Sequence, residues 1–206
     1  MWPQILPGLR INLFVTIAFG VIYPLAITGV CQVVFPHQAN GSLVTAGGAV
    51  IGSELIGQSF TKPAYFHPRP SAAGTDGYDA TSSGGSNYGP TNRKLIDRVK
   101  ASVEKFRKDN PDYQGPIPAD LFTASASGLD PDISPDSALA QAPRVAKARG
   151  ISTDQVKRLI AQLTEGPELG LLGEPRVNVL KLNLDLDRKF ARRQQPALSR
   201  TGGSGS

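Results

Sequence analysis

No Asp, Glu, Lys or Arg occurs between Arg10 and Glu54, and the stretch from Ile11 to Phe35, INLFVTIAFGVIYPLAITGVCQVVF, is almost wholly apolar. As a helix it would be about 37 Å long at ~1.5 Å per residue. That exceeds the ~30 Å hydrocarbon core of a bilayer, which roughly 20 apolar residues cross. The pattern predicts one membrane-spanning helix over residues 11–35. A cleaved signal peptide would have a shorter apolar core followed by an A-x-A-like site, and this stretch has neither. A lipidated cysteine normally follows a small residue, whereas Val30 precedes Cys31.

Within this span Asn12, Thr16, Gly20, Pro24 and Thr28 recur every four residues. That spacing places them in one slowly drifting stripe. Small and hydroxyl residues on one face let helices approach closely in lipid, so the stripe predicts a partner-facing side. Gly and Pro are also simply tolerated in membrane helices, which is the bland account of the same residues. Arg10 is the last basic residue before the span, and Lys62 the first after it. Basic residues next to a span remain in the cytoplasm. Residues 1–10 are therefore expected inside the cell and the rest of the chain outside.

Beyond the span the pattern changes. Residues 36–60 form an almost uncharged juxtamembrane segment that alternates small and branched residues. It reads as a pair of short strands or a buried loop. Residues 61–92 show no period and are rich in Pro, Gly, Ser, Asn and Asp, so they form a long loop. Its aromatics Tyr65, Phe66, Tyr78 and Tyr88 give it something to bury, which argues against disorder.

A helix follows, capped by Thr91 or Asn92. Leu95, Ile96, Val99, Val103 and Phe106 lie on its apolar face, and Asn110-Pro111 ends it. Ile117 to Thr123 reads as a short strand. Ser134 caps a second helix with Pro135 in its first position, and Gly150 stops it. Ser152 and Gln155 make a capping box for a third, with Val156, Leu159, Ile160 and Leu163 facing inward. Arg176 to Asp187, RVNVLKLNLDLD, alternates strictly from Leu180 and reads as a half-buried strand with a bulge or twist near Val179. These elements predict an α+β fold: a single N-terminal transmembrane helix, then one mixed α+β soluble domain over 61–190. A basic tail occupies 191–206, and its last six residues, TGGSGS, read as an expression linker.

The net charge of +5 among 206 residues first suggests a nucleic-acid partner. Six of the 22 basic residues are Arg10 and the C-terminal Arg188, Lys189, Arg192, Arg193 and Arg200, and the other 16 are balanced by 17 acidic residues. No basic stripe interleaved with aromatics exists, so no nucleic-acid partner is expected, and membrane lipid is. The lone Cys31 rules out an internal disulfide. With His37 and His67 the only histidines, a structural zinc site is not expected either. There is no P-loop, G-x-S-x-G elbow or H-E-x-x-H, and no Ser stands in a nucleophile setting near either histidine. No catalytic residue, resident cofactor or metal is expected.

Two loops stand out. Gly84-Gly85-Ser86-Asn87-Tyr88-Gly89-Pro90-Thr91-Asn92 can adopt positive φ and bond its own backbone. It is either an anion cradle at a helix start or, more simply, a tight turn seating the helix. In Thr123-Ala124-Ser125-Ala126-Ser127-Gly128-Leu129-Asp130-Pro131, serines and a glycine precede a helix and could cradle phosphate. No Lys is placed to help, and a structural turn is the plainer reading.

In order along the chain, the apolar helix is followed by FHPRPSA (66–72), SGGSNYGPTN (83–92), TASASGLDPDISP (123–135), QAPRVAKARG (141–150) and LGEPRVNVLKLNLDLD (172–187). Together these resemble the KdpC subunit of bacterial potassium-transporting P-type ATPases, from the anchor to about Asp187. The resemblance implies a non-catalytic accessory subunit of a high-affinity, ATP-driven potassium import complex in the bacterial inner membrane. Its implied partners are a channel-like potassium-translocating subunit, a P-type ATPase subunit and a small membrane peptide.

Two roles are proposed for that family. One is assembly, which with the orientation read from Arg10 would put the domain near the potassium entrance. The other is a catalytic chaperone that binds ATP. The ATP reading maps here onto Ser125, Ser127 and Gly128, in a loop reading SASG where an ABC-type signature reads SGGQ, and onto a following glutamine, Gln141. The chain has no D-K-T-G motif, so it is not the phosphorylated subunit.

Overall fold

The computed structural model describes residues 2–190; the tail and linker expected over 191–206 lie outside the described residues. Backbone contacts divide the chain into one unit up to Leu55 and another from Ile56.

In the first unit, α1 (Trp2–Ile17) passes through a π-helical turn at Ala18–Ile22 into α2 (Tyr23–Val34). Pro3–Val34 is, among the described residues, the one helix long and apolar enough to cross a membrane, and none of it is buried. It fits a single-pass membrane protein. The helix begins earlier than the expected residue 11, so Arg10 lies inside it. The π turn has a local cause. Pro24 has no N–H to offer the Gly20 carbonyl, and the Tyr23 N–H bonds instead to Ala18 O, five residues back.

After a short α3 (Pro36–Ala39), β1 (Leu43–Ala46) and β2 (Ala49–Ser53) pair antiparallel. Of the two readings left open for 36–60, a strand pair and a buried loop, the strand pair is the one that forms. Gly47 and Gly48 join them at φ of 58° and 82°, the left-handed turn that matches the twist of a two-stranded ribbon.

The second unit places α4 (Arg93–Asp109), β3 (Asp132–Ile133), α5 (Pro135–Arg149), α6 (Thr153–Leu163), β4 (Thr164–Glu165), β5 (Arg176–Asn178) and α7 (Val179–Lys189) in that order. The small antiparallel sheet runs β3-β5-β4. The core joins Ile133 and Val177 of the sheet to Val145 of α5, Val156, Leu159 and Ile160 of α6, and Leu182 and Leu186 of α7, with Phe66 of the long loop fully enclosed. Each such side chain contributes roughly 1.5–3 kcal/mol by leaving water.

The expected caps form. Asn92 Oδ1 accepts the Lys94 N–H, Ser134 Oγ accepts that of Ser137, and Gly150 closes α5 at φ 67°. Ser152 and Gln155 complete their capping box. On α4 the expected apolar face is only partly covered: Phe106 is buried against Leu121 and Ala140, while Ile96 remains 39% exposed.

Two expected strands are corrected. Ile117–Thr123 holds a single 3-10 turn, Ala119–Leu121. Pro116 and Pro118 cannot donate to a ladder, and the Asp120 carboxylate accepts from Ser134 N and from the Ser134 and Ser137 hydroxyls instead. RVNVLKLNLDLD is a strand only over Arg176–Asn178 and then turns helical. Asn178 Oδ1 caps the new helix at Lys181 N, 3.1 Å away. Val179, Leu182, Asn183 and Leu186 then face the core, a helical spacing in which Asn183 is an inward residue. The strict Leu alternation concealed it because Leu184 stands where alternation wants it and the helix does not need it.

Candidate functional site

The long loop is held by side-chain amides. Asn183 of α7 accepts the Phe66 N–H at 2.8 Å and donates back to Phe66 O at 3.0 Å. Gln141 of α5 does the same for His67, at 2.8 and 3.1 Å. Two carboxamides from two helices thus replace a neighbouring strand, satisfying backbone groups that burial would otherwise orphan.

Beside them lies Arg144, 8% exposed. Its Nε donates to Asn110 Oδ1 (2.9 Å), Nη1 to the carbonyls of Pro63 (2.6 Å) and Tyr65 (3.0 Å), and Nη2 to Gln141 Oε1 (2.8 Å). Burial lowers its pKa to about 10, so it remains charged. One turn later, Arg149 donates to Ala64 O and Asp187 and stacks on Tyr65, its guanidinium carbon 4.9 Å from the ring centre.

The two motif loops pack on each other. Gly84 N–H and Ser83 Oγ donate to Ser127 O at 2.8 and 3.1 Å. Ser71 Oγ donates to Gly128 O at 2.6 Å, Arg69 pairs with Asp130 at 2.7 Å, and Gly57 N–H donates to Leu129 O at 2.8 Å. Tyr78 Oη donates to Arg69 O, and burial first, then the nearby Asp130 carboxylate, pushes its pKa up.

Gly85 has no room for a side chain, since a Cβ would sit 2.8 Å from Ala126 O. Gly128 combines φ +69° with backbone atoms of Ala73 and Gly84 each 2.7 Å from where a Cβ would stand. Gly128→Ala is expected to lose about 1–3 kcal/mol from the left-handed backbone alone, and more from the clash. A lowered denaturation midpoint in urea checks it.

Gly89 and Pro90 lead exposed into the Asn92 cap, with Asn87 at φ 49° and Tyr88 under Arg98. Ser86 is half-buried, and Pro131 O accepts from Val179 N.

The residues assigned to nucleotide are divided. Ser127 Oγ accepts from Leu129 N, and Ser125 is buried. Gln141 is 1% exposed, with its oxygen and its nitrogen each engaged twice. Gln141 borders a cavity of about 270 Å³ walled by Phe60, Pro68, Tyr78 and Phe106, which Ser125, Ser127 and Gly128 do not line.

His67 also faces this cavity. Burial, then the Arg144 charge, lowers its pKa from 6.5 to about 4. The native state therefore binds fewer protons than the unfolded chain between those values. The His67 contribution to stability is full above pH 6.5 and is lost as pH falls toward 4. His67→Gln should flatten the stability–pH curve in that window, which urea titrations at pH 4.5 and 7 measure.

Sequence reasoning singled out neither Arg144 nor Arg149, nor Asn183, Arg69 or Ser71. Arg144 and Arg149 stand in the quoted QAPRVAKARG block, but their partners are loop carbonyls that no local pattern reveals.

One apolar helix fit to cross a bilayer, followed by an α+β unit whose motif residues bond mainly to one another, fits a single-pass membrane subunit. Residues 5–188 match the family described as KdpC: K+-transporting ATPase, c chain. The chain is 54% identical over 191 residues to the potassium-transporting ATPase KdpC subunit of Myxococcus xanthus, covering 92% of this chain and 90% of that one. It is 56% identical over 184 residues to that of Rhodospirillum rubrum, covering 89% and 95%, and 53% identical over 188 residues to that of Koribacter versatilis, covering 91% and 95%. The chain belongs to the KdpC family and is an accessory subunit of a potassium transport complex.

Proposed function

We propose that the chain braces this complex and is not itself a catalyst. Its helix spans the bacterial inner membrane with the N-terminus in the cytoplasm. The α+β unit stands outside, on the potassium-translocating subunit near the ion entrance. The P-type ATPase subunit and a small membrane peptide complete the assembly, as the family resemblance implies. The observation that carries the reading is the use made of the motif residues: the family's ordered blocks spend their polar atoms on one another, which builds a rigid body. Sidedness rests on Arg10. Deleting residues 61–190 should destabilise the complex and weaken potassium uptake; normal assembly and uptake in that variant would refute the brace.

An ATP-handling role would need Gln141 to exchange its four hydrogen bonds for a ligand. The full-length chain is therefore expected not to bind ATP at millimolar concentration. Saturable binding that weakens in the exposed-site variant Ser127→Ala would favour the chaperone reading instead.

A further inference from the structure

Between β4 and β5 the chain makes a tight turn. Glu168 N–H donates to Leu172 O at 2.8 Å and Leu172 N–H back to Glu168 O at 2.9 Å. At its tip Leu169 is 95% exposed, Leu171 83% and Leu172 59%. Leu169 and Gly170 have φ of 55° and 73°. Positive φ at two successive turn positions ordinarily selects Asn-Gly, and a left-handed Leu is uncommon. Folding thus derives nothing from the Leu169 side chain: it buries no surface and its backbone is adverse.

At the base of the turn Arg176 bridges Asp132, Glu165 and Glu168 at 3.3 to 3.5 Å. The apolar tip stands beyond this ion-pair cluster.

Charge separates the two occupants that such a tip could have. Residues 164–176 carry Glu165, Glu168 and Glu174 against the single Arg176, which pairs with the first two, and no aromatic residue, so the collar keeps a net negative charge. Segments that settle into a bilayer surface carry basic and aromatic residues, and anionic headgroups repel carboxylates. An acidic collar around leucines suits a protein cleft with an apolar floor and a rim of basic or N–H groups.

We propose that the Leu169–Leu172 turn is a docking finger that inserts its leucines into an apolar, basic-rimmed cleft on another subunit of the potassium transport complex. This rests on the assembly reading above.

The test uses the full-length chain in the assembled complex. In a Cys31→Ala background, Leu171→Cys carries a benzophenone. Irradiation is expected to join it to another subunit. Adducts only with lipid, only with a second copy of this chain, or with nothing overturn the proposal. In parallel, Leu169→Asp/Leu171→Asp/Leu172→Asp should dissociate from the detergent-extracted complex about tenfold faster, with its thermal unfolding unchanged. An unaltered dissociation rate also overturns it. Wild-type co-purification with a P-type ATPase subunit is the control: its absence would retire the assembly reading itself, whereas its presence with a negative finger result retires only the finger.

Discussion

Arg144→Ala should lower the unfolding free energy by about 1.5–3 kcal/mol, the range for losing buried hydrogen bonds to a charged group. The side chain is the common donor for Asn110, Gln141 and the carbonyls of Pro63 and Tyr65. Its removal takes the donor from Asn110 Oδ1 and from the carbonyls of Pro63 and Tyr65, while Gln141 Oε1 keeps the His67 N–H; a buried acceptor left unpaired costs roughly 1–3 kcal/mol when no water reaches it. Arg144→Lys should recover only part, because an ammonium cannot span the positions that the guanidinium fork reaches. Lys147→Ala is the comparison on the same helix. Its pair with Asp112 is exposed, so a change within ~0.5 kcal/mol is expected. Urea denaturation of the detergent-solubilised chain measures all three. A loss under 1 kcal/mol for Arg144→Ala would show that the loop is held some other way.

The second large effect concerns the membrane helix. An α-helix turns ~100° per residue, so a stripe with a stride of four drifts ~160° between Asn12 and Thr28. A π turn takes up one residue more than an α turn, which sets everything after it back by ~100°. The turn at Ala18–Ile22 therefore gathers Asn12, Thr16, Gly20, Pro24 and Thr28 into an arc of about 60°. Pro24 belongs to the stripe and also causes the turn that straightens it.

A side chain at Gly20 would meet only Thr16 Cγ2, at 3.8 Å, so Gly20→Leu leaves the helix itself intact. It should block close approach of a neighbouring helix and reduce recovery of the complex about tenfold, equivalent to ~1.4 kcal/mol. Phe14→Leu, about 200° round the helix from Asn12, should leave recovery unchanged. Equal recovery of both variants would mean that the stripe faces lipid.

What the sequence revealed follows from range. Asn92, Ser134 with Pro135, Gly150, and Ser152 with Gln155 act within a few residues, and their caps were readable. The alternating leucines after Val179 were misread because the decisive contact lies far away: Asn183 meets Phe66 across 117 positions. Once that amide is drawn inward, helical spacing prevails and Leu184 is released. The candidate loops were legible as glycine-rich turns, but their convergence was not. Gly57, Ser71, Gly84 and Gly128 become one packed cluster only through the fold. The π turn did leave a signal, a proline in mid-span, though Pro in a membrane helix has several outcomes.

Sidedness is the measurement on which the brace depends most directly. In a Cys31→Ala chain, Lys157→Cys places one thiol on the exposed face of α6. A membrane-impermeant maleimide applied to intact spheroplasts should label it fully, with no gain on permeabilisation. Labelling that appears only after permeabilisation would put the domain in the cytoplasm, where it could not stand at the potassium entrance.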